Sequence, residues 1–202
     1  MTMPKGPACW LPHAIVASLQ EIRVKGSTLL GVLTGVREVC GERAEGMIAG
    51  LKGELGETVR TRSLVALGWY PIAWHRELLA MVVANGGQVE LREVIRTSTR
   101  HSMSSIHRLI VKVFSPDTLL RQSSRLFSSF FEAELLTHVQ GPRQVRVEWK
   151  ECHGFDRNVW QAQVITVDEL VAMTGSKVKS RTVTAGGTDG DSSMSLDLHW
   201  LA

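Results

Sequence analysis

The chain is poor in the residues that would staple or metallate it. Its three cysteines, Cys9, Cys40 and Cys152, are odd in number and far apart, so neither a disulfide framework nor a CxxC metal or redox pair can be read from them. That usage suits a reducing compartment, and a cytoplasmic location is expected. No stretch approaches the roughly 18 consecutive apolar residues of a membrane span. The opening "MTMPKGPACWLPHAIVASLQ" is interrupted by Pro4, Pro7, Pro12 and His13, so it lacks the continuous apolar core of a signal peptide. Residues 1–21 read instead as a poorly ordered N-terminal extension. The formal charge is only +3, without a dense Lys/Arg block, which gives no support to a nucleic-acid surface. Patterns of the GxGxxG, Walker, GxSxG, HxxxH and HExxH kinds are missing too. Nucleotide binding, serine-hydrolase chemistry and a zinc site therefore lose their usual signals.

What is present is ordinary material for a folded domain. A chain of 202 residues, 44% hydrophobic and 21% charged, can bury a self-sufficient core, and a single domain is expected over residues 22–202. Residues Ile22 to Lys25 read as a short strand, followed by a helix with Ser27 as N-cap, Gly41 as stop and Leu29, Leu30, Leu33, Val36 and Cys40 on one face. The glycines between Glu42 and Arg62 predict only a short helix, Ala44 to Leu51, and then an irregular link. In "GWYPIAWHRELLAMVVANGG", Pro71 suits a first helical turn, Ile72, His75, Leu78, Leu79, Val82 and Val83 form a stripe, and Asn85-Gly86-Gly87 ends it. Two more helices are predicted, from Ser102 to Phe114 and onward from Ser115-Pro116-Asp117, the second turning Leu119, Leu120, Leu126, Phe127, Phe130 and Phe131 inward.

The period then changes from helical to alternating. "RQVRVEWK" sets Val145, Val147 and Trp149 against Arg146, Glu148 and Lys150, and a strand from Leu135 to Val139 before it makes a hairpin. A helix from Asn158 to Met173 leads to strands "KVKSRTVT" and "SMSLDLHW" around the turn "AGGTDGD". The expected fold class is α+β: an N-terminal helical part packed on a C-terminal antiparallel sheet in a ββαββ arrangement.

"ECHGFDRNVW" gathers a thiol, an imidazole, a carboxylate and a guanidinium, yet architecture accounts for it. Trp149 and Glu151 continue the strand's alternation, Gly154 permits a turn, and Asp156 sits where a helix N-cap belongs. Cys152 and His153, adjacent in an extended segment, point to opposite faces and do not converge as a catalytic pair. His107, one turn from Met103 and Val111, could ligate a metal or haem iron, but a lone histidine there also reads as a core-edge imidazole. His75 is open to the same two readings.

The element order, together with "VKGSTLLG", "GWYPIAWHRELL", "SPDTLLRQSSRLFSSFFE" and "GFDRNVW", resembles a group of myxobacterial-type bacterial proteins of uncharacterised activity. Through them it resembles the superfamily of haem-nitric-oxide-binding (H-NOX) and vinyl-reductase-type ligand-binding domains, from about Ile22 to Trp200. The resemblance implies a small molecule or partner held between helices and sheet, generally without turnover. Its H-NOX branch implies a helix histidine as iron ligand, for which His107 is the candidate, and a Tyr-x-Ser-x-Arg signature for the haem carboxylates. The single tyrosine, Tyr70, is followed by Pro71-Ile72-Ala73-Trp74, so that signature is absent.

The expected function is a non-enzymatic sensory or interaction module with no cofactor, binding a small apolar molecule or a signalling protein. Trp69, Trp74, His107, Phe114 and Trp160 are the expected wall residues. No catalytic residue and no metal is assigned; the alternative is a haem or metal-binding gas or redox sensor using His107. Neither nucleic acid nor membrane is expected as partner, and a homodimer is compatible with the sequence.

Overall fold

A computed structural model describes residues 21–102 and 116–201. The chain is α+β, a helical N-terminal part on a C-terminal antiparallel sheet. The extension expected over residues 1–21 lies, apart from Glu21, outside the described residues, as does the predicted Ser102–Phe114 helix beyond its first residue.

β1 (Arg23–Lys25) pairs antiparallel with β2 (Trp69–Pro71), Val24 facing Tyr70. Helix α1 (Gly26–Cys40) follows β1 directly, with Lys25 at its N-cap and no side-chain cap. Ser27 is therefore inside the helix, contrary to expectation. The reason is tertiary: the Gly26 and Ser27 amides donate to the Gly68 and Ala66 carbonyls at 2.9 Å each, so a returning loop satisfies the free amides that a capping hydroxyl would otherwise take. At the other end Gly41 has φ +54°, the left-handed stop a glycine permits.

Helix α2 (Arg43–Ala49) matches expectation, but the irregular link does not, because α3 (Gly53–Arg60) occupies most of it. Propensity lost to packing: Leu55 is buried, and a Cβ on Gly56 would lie 2.3 Å from the Leu51 carbonyl oxygen. The glycine that weakens the helix in isolation lets it dock.

Helix α4 (Ile72–Ser102) is two helical segments joined at Gly87, where φ is +67° and ψ −164°. Asn85-Gly86-Gly87 thus breaks the first segment as expected, but the helix resumes at once. Pro71 sits in β2, one residue before the first turn. α4 packs along α1, whose Gly31 and Gly35 lie against Ser98, Ser102 and the Val94 carbonyl.

Helix α5 (Pro116–Ser128) leads into the hairpin of β3 (Glu134–Gly141) and β4 (Gln144–Lys150). Helix α6 (Arg157–Met173) and the strands β5 (Lys177–Gly186) and β6 (Met194–Leu201) follow. The sheet order is β3-β4-β6-β5, every pairing antiparallel. Its inner face carries Val145, Val147, Trp149, Met194, Leu196, Leu198 and Trp200, all buried, the alternation of a sheet covered on one side. α6 packs on α4, and one contiguous hydrophobic cluster runs from Ile22 to Trp200. Among the described residues no helix is long and apolar enough to cross a membrane.

Candidate functional site: a cavity between helices and sheet

Where α1, α4, α5 and α6 meet the sheet, the side chains do not close up, and a cavity of about 190 Å³ remains. Val32 of α1, Ile95 of α4, Leu120 and Phe127 of α5, Leu135 of β3, Trp149 of β4 and Val167 of α6 make most of its wall apolar. Leu120, Phe127 and Trp149 are inward positions that the helical and alternating periods marked, whereas Val32, Ile95 and Val167 are not among them. Phe130 and Phe131 close the wall after α5, with Phe131 stacked on Phe127 at 4.9 Å between ring centres.

The polar part of the wall is sparse. The Thr99 hydroxyl donates to the Ile95 carbonyl at 2.8 Å and that of Ser123 to the Leu120 carbonyl at 2.5 Å. His75, 2% exposed, lies 5.9 Å from Phe131 between ring centres. Its Nδ1 has no hydrogen-bond partner among the described residues. Burial pushes its pKa down to about 4, so the imidazole is neutral at pH 7. The Trp149 indole Nε1, also buried, is equally without a partner. Gln163 on α6 is buried at the wall as well. Sequence reasoning passed over it; the signal was a glutamine at an inward position of α6.

Of the five expected wall residues, His107 and Phe114 lie outside the described residues. Trp69, Trp74 and Trp160 do not line this cavity. Trp69 lies under the Lys25 ammonium, 4.0 Å from its ring centre, and Trp74 stacks on Tyr70 at 5.0 Å. Trp160 packs edge-on against Phe155 at 4.7 Å.

The "ECHGFDRNVW" stretch is architectural in the way its spacing implied. The Asp156 carboxylate accepts from the Val159 amide at 2.9 Å and caps α6, and Gly154 turns at φ +90°. One detail differs: Glu151 does not extend the alternation, because β4 ends at Lys150 and Glu151 turns the chain at φ +57°. The Cys152 thiol is fully buried, its pKa pushed up to about 12 by desolvation and by the Glu151 charge. The His153 imidazole meets Glu151 at 3.1 Å. Among the described residues no cluster of three or more His, Cys, Asp or Glu could hold a metal ion.

Helices resting on a four-stranded antiparallel sheet, with a hollow between, match known structures over 88% of this chain. The fold is that of H-NOX domains. An F78L variant of "Tt H-NOX" superposes with a TM-score of 0.66 at 12% identity, covering 95% of that chain. An unliganded Fe(II) H-NOX protein from K. algicida gives 0.63 at 12% identity over 97% of its chain. An oxygen-binding H-NOX domain related to soluble guanylate cyclases gives 0.62 at 12% identity over 95%. No protein-family model and no curated protein matches the sequence.

The H-NOX fold raises haem, and the described wall does not fit it. A haem brings two carboxylates, yet the wall offers one imidazole and no Lys, Arg or Tyr among the described residues. The cavity is also smaller than the roughly 300 Å³ at which pockets for drug-sized ligands begin.

Proposed function

We propose that this chain is a non-enzymatic sensory module of the cytoplasm that takes a small, largely apolar molecule into the cavity between helices and sheet. Binding there is passed to a signalling protein or to a second copy of the chain. The observation that carries this reading is the mainly apolar hollow, partly open to solvent, bounded by elements from both halves of the chain. Burial of a ligand against such a wall contributes roughly 25 cal/mol per Å² of apolar surface, and closing it couples helices to sheet. Supporting the non-enzymatic part, the Cys152 thiol is buried and its neighbour His153 is engaged with Glu151. No acid, base and nucleophile meet among the described wall residues.

Native mass spectrometry of protein purified from its own host tests the reading directly. A retained small molecule whose removal lowers the melting temperature supports it. A ligand-free protein that no apolar probe stabilises leaves docking alone.

The fold's likeness to H-NOX domains favours a second reading, haem held by His107 or His75. A Soret band on addition of haemin, lost in His107→Ala or His75→Ala, would replace the first reading. A protein that stays colourless removes the second.

A further inference from the structure

Folding gathers arginines that the sequence scatters. Arg92, Arg96 and Arg100 stand about one turn apart along the second segment of α4, and Arg181 comes to them from β5. Burial first, and then the positive charges of Arg92 and Arg96, push the Arg181 guanidinium below its ordinary pKa. Carboxylates answer part of this charge. Arg100 Nε donates to Glu169 of α6 at 2.6 Å, and Arg96 Nε stands 3.7 Å from the same group. Arg96 Nη1 also donates to Glu93 at 3.0 Å, and Arg181 pairs with Asp168 of α6. Arg92 is exposed and has no ion pair among the described residues.

The layering of these charges sets the character of the surface. The side chains of Asp168 and Glu169 are 15% and 4% exposed, those of Arg96 and Arg100 37% and 59%, so guanidiniums lie outermost with acids beneath them. Glu93 is the exposed exception. A guanidinium fork matches a carboxylate bidentately. From Arg92 to Arg100 the row runs about 12 Å at the helical rise, longer than one compact anion. An extended chain with an acidic side chain at every second residue, about 7 Å apart, matches it. A nucleic-acid backbone asks for a broader basic stripe, and the formal charge of the chain is only +3. The same two helices wall the cavity, α4 with Ile95, Ser98 and Thr99 and α6 with Gln163, Thr166 and Val167, so whatever grips the arginines grips the cavity's frame.

We propose that the arginine face formed by Arg92, Arg96, Arg100 and Arg181 is where a signalling protein docks, through an extended segment rich in aspartate and glutamate. This rests on the reading of the chain as a module that passes cavity binding to a partner, and it adds the surface and the partner's chemistry.

The test is fluorescence anisotropy of a labelled peptide of alternating glutamate and serine, titrated at pH 7 and low salt with the full chain as wild type, Arg92→Glu and Lys52→Glu. The last variant reverses an equal charge at the N-cap of α3. The peptide is expected to bind the wild type, more weakly as salt is added. Arg92→Glu should weaken it at least about tenfold, the scale of one lost charge-assisted contact, and Lys52→Glu less than about twofold. Arg92→Gln, with a loss of at least about threefold, supplies the comparison if Arg92→Glu lacks the wild-type circular dichroism spectrum. No binding, or equal losses in the two charge reversals, overturns the inference. So does a short DNA duplex that binds more tightly than the peptide with the same dependence on Arg92. The peptide needs no cavity ligand, so its failure leaves the apolar cavity standing, whereas a melting temperature that no apolar probe raises removes the cavity ligand and leaves the docking face.

Discussion

At the scale of single residues, burial decides chemistry. Cys152 and His75 both carry reactive groups, and both are held in their neutral forms by desolvation. With its pKa pushed up to about 12, the Cys152 thiol should resist iodoacetamide at pH 8 in the folded protein and react once the chain is unfolded, because the thiolate is the nucleophile. Prompt alkylation of Cys152 in the native protein would refute its burial. His75 gives stability a pH dependence whose sign follows from its lowered pKa. The unfolded imidazole takes a proton near pH 6.5, the folded one only near pH 4. Its contribution is therefore complete above about pH 6.5 and is lost as the pH falls toward 4, by up to about 3 kcal/mol. Urea denaturation between pH 4 and 7 should show that slope in the wild type and a flatter one in His75→Leu. Asp156 makes a smaller, local contribution: Asp156→Ala should lower stability by about 1 kcal/mol through loss of the bond to the Val159 amide, and Asp156→Asn by less.

Elements owe their placement to close approaches that a periodicity does not record. On α1 a Cβ at Gly35 would stand 2.5 Å from the Val94 carbonyl oxygen of α4, so the two helices approach backbone to backbone. Gly35→Ala should cost about 1–3 kcal/mol as the helices part, the usual range for overpacking, readable as a shift of the denaturation midpoint at constant m-value. The kink in α4 makes a different demand. Gly87 adopts φ +67°, ψ −164°, a region nearly closed to other residues, although a Cβ there would meet nothing within 4 Å. Gly87→Ala should therefore destabilise by about 1–3 kcal/mol through strain alone. Beyond the kink, Arg100 Nε on α4 donates to the buried Glu169 carboxylate on α6 at 2.6 Å, with Arg96 Nε 3.7 Å away. This fixes the second segment of α4 against α6 at the cavity's edge.

For the whole molecule, the contiguous cluster from Ile22 to Trp200 ties helical part and sheet into one interior. One shared interior makes a single cooperative transition the expected outcome. Helical ellipticity and tryptophan fluorescence should lose their native signals at the same denaturant concentration. Two separated midpoints would show that the layers fold apart. The cavity belongs to this scale as well, since its wall draws on α1, α4, α5, α6 and the sheet together.

The sequence by itself determined the α+β class, the ββαββ order, the inward face of the sheet, much of that of the helix after Pro71, and the cap at Asp156, because periodicity and capping are local consequences of backbone geometry. It also marked the architectural character of "ECHGFDRNVW" and pointed toward the H-NOX arrangement. Tertiary structure alone decided that loop carbonyls replace Ser27 at the start of α1, and that α3 forms despite its glycines. It also decided that His75 and Trp149, 74 positions apart in the chain, share one wall while Trp69, Trp74 and Trp160 pack elsewhere. A hollow exists only where several elements meet and fail to fill the space between them, and no window of consecutive residues carries that information.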